Sequence, residues 1–207
     1  MVLQRDKPLN VWGWASPGSI VSVEIAGDSV SAKSKGTGKW TASIGPLSAG
    51  GPHKMKVSGP ETVEFSDVMV GDVWICSGQS NMEWSVRNSN NPEKEIADAN
   101  HPQLRLFKVP RKISMTPQKT VDASWQVCNS KTVPGFTAVG YFFGRDLQKE
   151  ISVPVGLIQT AWGGTLAEAW TSAGALKTMG DFDQALEKFA VLRDCLLYTS
   201  PSPRDRG

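Results

Sequence analysis

The segment Gly71-Asp72-Val73-Trp74-Ile75-Cys76-Ser77-Gly78-Gln79-Ser80-Asn81-Met82-Glu83-Trp84 carries an apolar run into a small polar turn that holds a serine. A turn that ends a strand in this way lies at the C-terminal edge of a sheet, where ligands of open α/β folds bind. An accessible hydroxyl there could attack a carbonyl carbon, given a base to take its proton. The turn is not the GxSxG elbow of α/β-hydrolases, because Met82 stands at the second glycine position. Taken alone, Gly78-Gln79-Ser80 has a competing reading that the residues favour: Ser80 could cap a following helix through its side-chain oxygen. Gln79 and Asn81 suit orienting the turn or touching a substrate rather than proton chemistry. Glu83 reads as a solvated or hydrogen-bonded structural carboxylate before it reads as a general base.

Around this turn, the chain changes character near residue 67. From Leu9 to Asp67, short alternating runs are broken by Gly and Pro, which predicts a small β-sandwich. Val21, Val23 and Ile25 share one strand face, and Trp40, Ala42 and Ile44 repeat the pattern after Gly36-Thr37-Gly38. Further strands are predicted at Lys54–Val57 and Thr62–Phe65. Beyond Asp67, Val68-Met69-Val70 and Val73-Trp74-Ile75-Cys76 are near-continuous apolar runs of the kind found in strands covered on both faces.

A helix is predicted over Pro92–Ala99, a strand over Leu104–Val109, and a helix over Ala138–Glu150 with Val139, Phe142, Phe143 and Leu147 on its apolar face. A buried strand follows at Val155–Thr160, so alternating strands and helices predict an α/β domain with a mainly parallel sheet. Asp181–Arg193 reads as a helix with Phe182, Ala185, Leu186, Phe189 and Ala190 on one stripe and Gln184 placed for a capping box. From Leu196 to Gly207 no period survives. The division expected is a β-sandwich over 1–67, the first part of an α/β domain over 68–194, and a non-native tail over 195–207. About three sheet strands are visible where an open sheet usually has about five, so that domain reads as incomplete.

The bulk numbers exclude several classes. The 207 residues, 40% of them hydrophobic, can bury a core. Lys plus Arg total 22 against 20 for Asp plus Glu, scattered along the chain, which argues against a nucleic-acid partner. No apolar run reaches the roughly 20 residues that span a bilayer, so no membrane partner is expected. The first residues lack a leader's apolar stretch. Cys76, Cys128 and Cys195 have neither CxxC spacing nor an even count, so no metal site is expected, and Cys76 reads as a buried core thiol. Eight tryptophans are many for this length. Aromatic faces suit sugar stacking or core packing.

Gly-Gln-Ser-Asn-Met at the end of Val73-Trp74-Ile75-Cys76 resembles the first signature block of the sialic acid-specific acetylesterase family, carbohydrate esterases of the SGNH-hydrolase type. Gly156-Leu157-Ile158-Gln159-Thr160-Ala161-Trp162-Gly163-Gly164-Thr165 with Glu168-Ala169-Trp170 resembles a second block. Met1 to Arg5, Val11-Trp12-Gly13-Trp14-Ala15 and Pro17-Gly18 resemble the β-rich region that precedes the catalytic domain there. The resemblance covers Met1 to Ser172 in order. It implies an SGNH-hydrolase-like parallel-sheet domain preceded by a β-sandwich, acting on O-acetyl groups of sialic acid or related sugars.

It also implies Ser80 as a nucleophile that passes through an acetyl-serine, without metal or cofactor. The amides of Ser80 and of Gly163 or Gly164 become oxyanion-hole candidates. Gly163-Gly164 could equally just turn the chain. Gln79, Asn81, Trp84, Trp162, Glu168 and Trp170 become substrate-binding candidates, with core packing open for each tryptophan. The parent protein is expected outside the cytoplasm. The resemblance implies two further blocks, an Asn block near Gln-Gly-Glu and Asp-x-x-His, and neither occurs in this sequence. Its two histidines, His53 and His101, read as turn residues. The chain is therefore expected to be a shortened, nearly inactive form. The alternatives are an acetylxylan esterase of the same superfamily and a non-catalytic sugar-binding fragment.

Overall fold

The computed structural model describes residues 1–114, 116 and 118–199, with side chains to 192. The tail from 200 onward lies outside the described residues. The described chain divides into two units, residues 1–110 with 121–163, and residues 111–120 with those from Gly164 onward.

In the first unit the strands are Val2–Gln4 (β1), Leu9–Trp14 (β2), Ile20–Ile25 (β3), Asp28–Lys33 (β4), Lys39–Ile44 (β5), Gly50–Ser58 (β6), Thr62–Gly78 (β7), Asn100–Lys108 (β8), Gln126–Asn129 (β9) and Val155–Ala161 (β10). Its helices are Ser80–Glu83 (α1), Pro92–Ala97 (α2) and Ala138–Ile151 (α3). One sheet runs β4-β3-β6-β7-β10-β8-β9, with β1 also on β7, and β2 pairs with β5 in a second. The two sheets bury Val21, Val23, Ile25, Trp40, Ala42, Ile44, Leu47, Met55, Val68 and Val70 between them. This is the sandwich that the alternation predicted.

β7 is a single strand of 17 residues, where the sequence suggested three separate ones. Its first part pairs antiparallel with β6. From Asp72 to Gly78 it pairs parallel with β10, which in turn pairs parallel with β8. Two ion pairs pin the strand. The Arg5 guanidinium donates to both Asp72 carboxylate oxygens at 3.0 Å, and the buried Arg105 grips the Asp67 carboxylate with two nitrogens.

Only part of β7 is covered on both faces. Val68, Met69 and Val70 are buried, whereas Trp74 is 45% and Ile75 68% exposed. The expectation of double coverage for Val73–Cys76 therefore fails among the described residues: α3 lies on the face of Cys76, and Ile75 faces the other way.

The apolar face predicted for α3 also needs correction. Tyr141 is buried while Val139 and Phe143 are only about half buried. The helix beds through Gly140 and Gly144, where an added Cβ would fall 2.8 Å from Cys76 Sγ and 2.6 Å from a Leu157 methyl. Phe142 and Leu147 of the predicted stripe do pack against the core. Glycines are silent in a search for apolar stripes, so the pattern found part of the buried face and missed its centre at Gly140, Tyr141 and Gly144. His53 and His101 lie in β6 and β8, not in turns.

In the second unit a short 3-10 turn at Ala167–Trp170 precedes Ala173–Met179 (α4) and Asp183–Thr199 (α5). The Ser172 hydroxyl accepts the Ala175 N–H to cap α4, which ends at Gly180 with φ +78°. The α5 backbone runs beyond the Arg193 end expected from its stripe. No helix among the described residues is long and apolar enough to cross a membrane.

Candidate active site

β7 ends at Gly78, whose φ of +151° is one that side-chain-bearing residues rarely adopt. The chain turns there into α1, a single helical turn closed by bonds from the Glu83 N–H to Gln79 C=O at 2.9 Å and from the Trp84 N–H to Ser80 C=O at 3.0 Å. Gln79 occupies the N-cap position and makes no side-chain capping bond. Ser80 is the first helical residue, so the capping role that its isolated motif suggested does not hold. Its side chain is exposed, as are those of Gln79 and Asn81.

The second glycine-rich segment reaches the same turn. Ala161 is in register with Gly78, and the Trp162 N–H donates to Gly78 C=O at 3.1 Å. Gly163 follows at once, and its backbone lies against the serine. A Cβ built on Gly163 would sit 3.1 Å from Ser80 Oγ, 3.4 Å from Ser80 Cα and 3.0 Å from Glu83 Oε2. The Gly163 N–H donates to Glu83 Oε2 at 2.9 Å. Glu83 is thus a hydrogen-bonded carboxylate, in line with the structural role read for it, and one of the proposed oxyanion donors is committed to it in this structure.

The remaining candidates are placed as follows. The Trp84 indole N–H donates to Asn88 C=O at 2.8 Å, leaving the ring more than half exposed. Trp162 is partly buried. Gly164, Glu168 and Trp170 belong to the second unit, where Gly164 has φ +78° and the Trp170 N–H donates to Thr165 Oγ1 at 2.7 Å. His101 pairs with the Tyr141 hydroxyl at 3.3 Å, and burial pushes its pKa down. Neither His53 nor His101 is hydrogen-bonded to Ser80. Burial raises the Cys76 thiol to about 11 and the Cys128 thiol to about 12, so both are inert packing groups.

Two supporting residues escaped the sequence reading. Thr137 caps α3, accepting the Gly140 N–H at 3.1 Å, and its own N–H donates to the buried Gln159 Oε1 at 3.0 Å. This ties the helix beneath Cys76 to the strand that leads to Gly163. A threonine just before an apolar helical run was a legible cap signal. Gln159, a lone amide in a buried strand, was the other clue, since such a group must find partners.

The profile of the carbohydrate esterases described as sialic acid-specific acetylesterases matches residues 70–195, which spans the serine turn, the glycine pair and everything between them. The chain belongs to this family. Relatives bear this out: the sialate O-acetylesterases of Mus musculus and Homo sapiens are each 32% identical to it across 87% of the chain. A solved carbohydrate acetylesterase from Xanthomonas citri is 40% identical and superposes on 85% of the chain with a TM-score of 0.82. The chain spans 37% of the mouse relative, 38% of the human one and 41% of the Xanthomonas protein.

Proposed function

We propose that Ser80 is the nucleophile of a serine carbohydrate esterase that removes O-acetyl groups from sialic acid or a related sugar. The observation that carries this reading is the exposed Ser80 hydroxyl at the end of β7 with the Gly163 backbone against it. In the proposed reaction, Ser80 Oγ attacks the acetyl carbonyl carbon, the ester bond to the sugar breaks, and the sugar hydroxyl leaves with a proton. Water then cleaves the acetyl-serine and releases acetate.

The Ser80 N–H opens α1, where no intrahelical carbonyl can accept it, and is assigned as an oxyanion donor. Gly163 serves as a wall. Gln79 and Asn81 are assigned to substrate contact. Trp84 and Trp162 are assigned to the sugar's surroundings. Like its relatives' activity, the location of the parent protein outside the cytoplasm is part of this proposal.

Neither histidine is bonded to Ser80, which supports the reading that the chain by itself has no base. Removing the base of a serine hydrolase costs on the order of 10⁶-fold in turnover, so the chain alone is expected to be nearly inactive. The test is incubation with excess 4-nitrophenyl acetate and mapping of acetyl groups by mass spectrometry. Acetyl-Ser80 should accumulate over hours without turnover and vanish in Ser80→Ala. Rapid Ser80-dependent turnover would overturn the base-less reading, and acetylation showing no preference for Ser80 would overturn the nucleophile.

A second reading, sugar binding by the β-rich region, is favoured by a cavity of about 630 Å³ bordered by Trp12, Trp14, Trp40, Glu61 and Phe65. Trp12 and Trp14 stand edge to face at 5.4 Å and are both half exposed. Calorimetric titration of the whole chain with sialic acid and with xylo-oligosaccharides checks it. Binding lost in Trp12→Ala and Trp14→Ala would support it.

A further inference from the structure

The Glu83 carboxylate is anchored in the same helical turn as Ser80, three residues on, and its Oε2 accepts the Gly163 N–H at 2.9 Å. That bond crosses from the turn after β7 to the segment just past β10, and it is charge-assisted, hence among the stronger kinds. Beside it, the Gly163 Cα faces Ser80 so closely that even a methyl group would lie 3.1 Å from the nucleophilic oxygen. We infer that Glu83 is a positioning residue: it clamps the Gly163 backbone against Ser80, so that a main-chain wall without a side chain limits where the ester can approach Oγ.

The inference rests on Ser80 being the nucleophile, and it gives Glu83 a task other than proton transfer. A clamp needs an acceptor oxygen, not a charge that titrates. Glu83→Gln keeps such an oxygen and Glu83→Ala removes it, which separates the clamp from a general base. A misplacement of about 1 Å at a reacting centre costs about 10²-fold, which sets the scale expected when the wall is released.

The experiment uses the whole 207-residue chain. Acetylation of Ser80 by 4-nitrophenyl acetate is timed by mass spectrometry, and exchange of the Gly163 amide hydrogen is followed by nuclear magnetic resonance. Glu83→Ala should slow acetylation by about 10²-fold and speed Gly163 exchange by about tenfold or more. Glu83→Gln should recover most of both.

Equal loss of acetylation in both variants, with the Gly163 amide still protected, would make Glu83 a base and overturn the clamp. So would an unchanged Gly163 amide in Glu83→Ala. If Glu83→Ala does not fold, Gly163→Ala tests the same contact from the other side, since its methyl group must push the wall away from Ser80. Full-rate acetylation in Gly163→Ala would then sink the inference. A wild-type chain that is never acetylated at Ser80 would remove the nucleophile reading, and Gly163 exchange in the Glu83 variants would still decide whether the clamp exists.

Discussion

The two halves of β7 carry the same kind of sequence and meet different surroundings. Val68-Met69-Val70 and Val73-Trp74-Ile75-Cys76 are both unbroken apolar runs, yet the first is buried throughout and the second leaves Trp74 nearly half and Ile75 largely exposed. The first run crosses the sandwich, where Val68 and Val70 enter the core between the sheets and Met69 is covered on the opposite face. The second enters the parallel sheet, where Cys76 is sealed by α3 and Ile75 meets no comparable element among the described residues. An apolar run therefore reports what a strand can tolerate on its two faces. What actually covers it is decided by the neighbouring elements.

Four substitutions sharpen or break this contrast. The largest effect is expected at Gly71, between the two runs, where an added Cβ would lie 1.9 Å from the Pro154 carbonyl oxygen. Backbone cannot yield as a flexible side chain does, so Gly71→Ala should cost upwards of about 3 kcal/mol, seen as a large drop in the urea midpoint. Val68→Ala, which empties space in the sandwich core, should cost about 2 kcal/mol in the same measurement.

Asp67→Asn comes next, at about 1 kcal/mol, because the partner it weakens is the buried Arg105 while Asp67 itself is half exposed and screened. The Arg105 hydrogen bond holds the Asp67 carboxyl below its ordinary range. Its stabilisation is therefore complete above the unfolded value near 4 and lost as pH falls through the depressed folded value. Denaturation midpoints measured from pH 7 downward should show a weaker acid dependence in Asp67→Asn than in the wild type. Ile75→Ala should be smallest, within about 0.5 kcal/mol. An Ile75→Ala loss as large as that of Val68→Ala would mean that the two halves of β7 are equally covered after all.

The strict alternation at Val21-Val23-Ile25 and Trp40-Ala42-Ile44 made the sandwich legible, because a period of two has one physical meaning when one face is wet. The order of elements after Asp67 was legible for the same reason that parallel strands alternate with helices. What could not be read was contact made by glycine and by backbone. Gly140 and Gly144 set the buried face of α3, and β4 and β9 are short or polar enough to leave little pattern.

The serine turn was found from its motif. Whether Ser80 capped a helix could not be decided from the residues alone, because both roles use the same hydroxyl, and only the position of Gln79 one residue earlier separates them. The bond between Glu83 and Gly163 joins residues 80 positions apart, a pairing that no local spacing announces.

The unbroken course of β7 has a consequence for how such proteins can be divided and recombined. At 17 residues it runs for roughly 55 Å, and the ladder that completes the sandwich continues directly into the ladder that presents the serine turn. No exposed linker lies between Thr62 and Gly78 for a protease to nick or for gene fusion to exploit. Heat or denaturant that frees one end should loosen the other, so the β-rich part and the nucleophile-bearing part are expected to melt together.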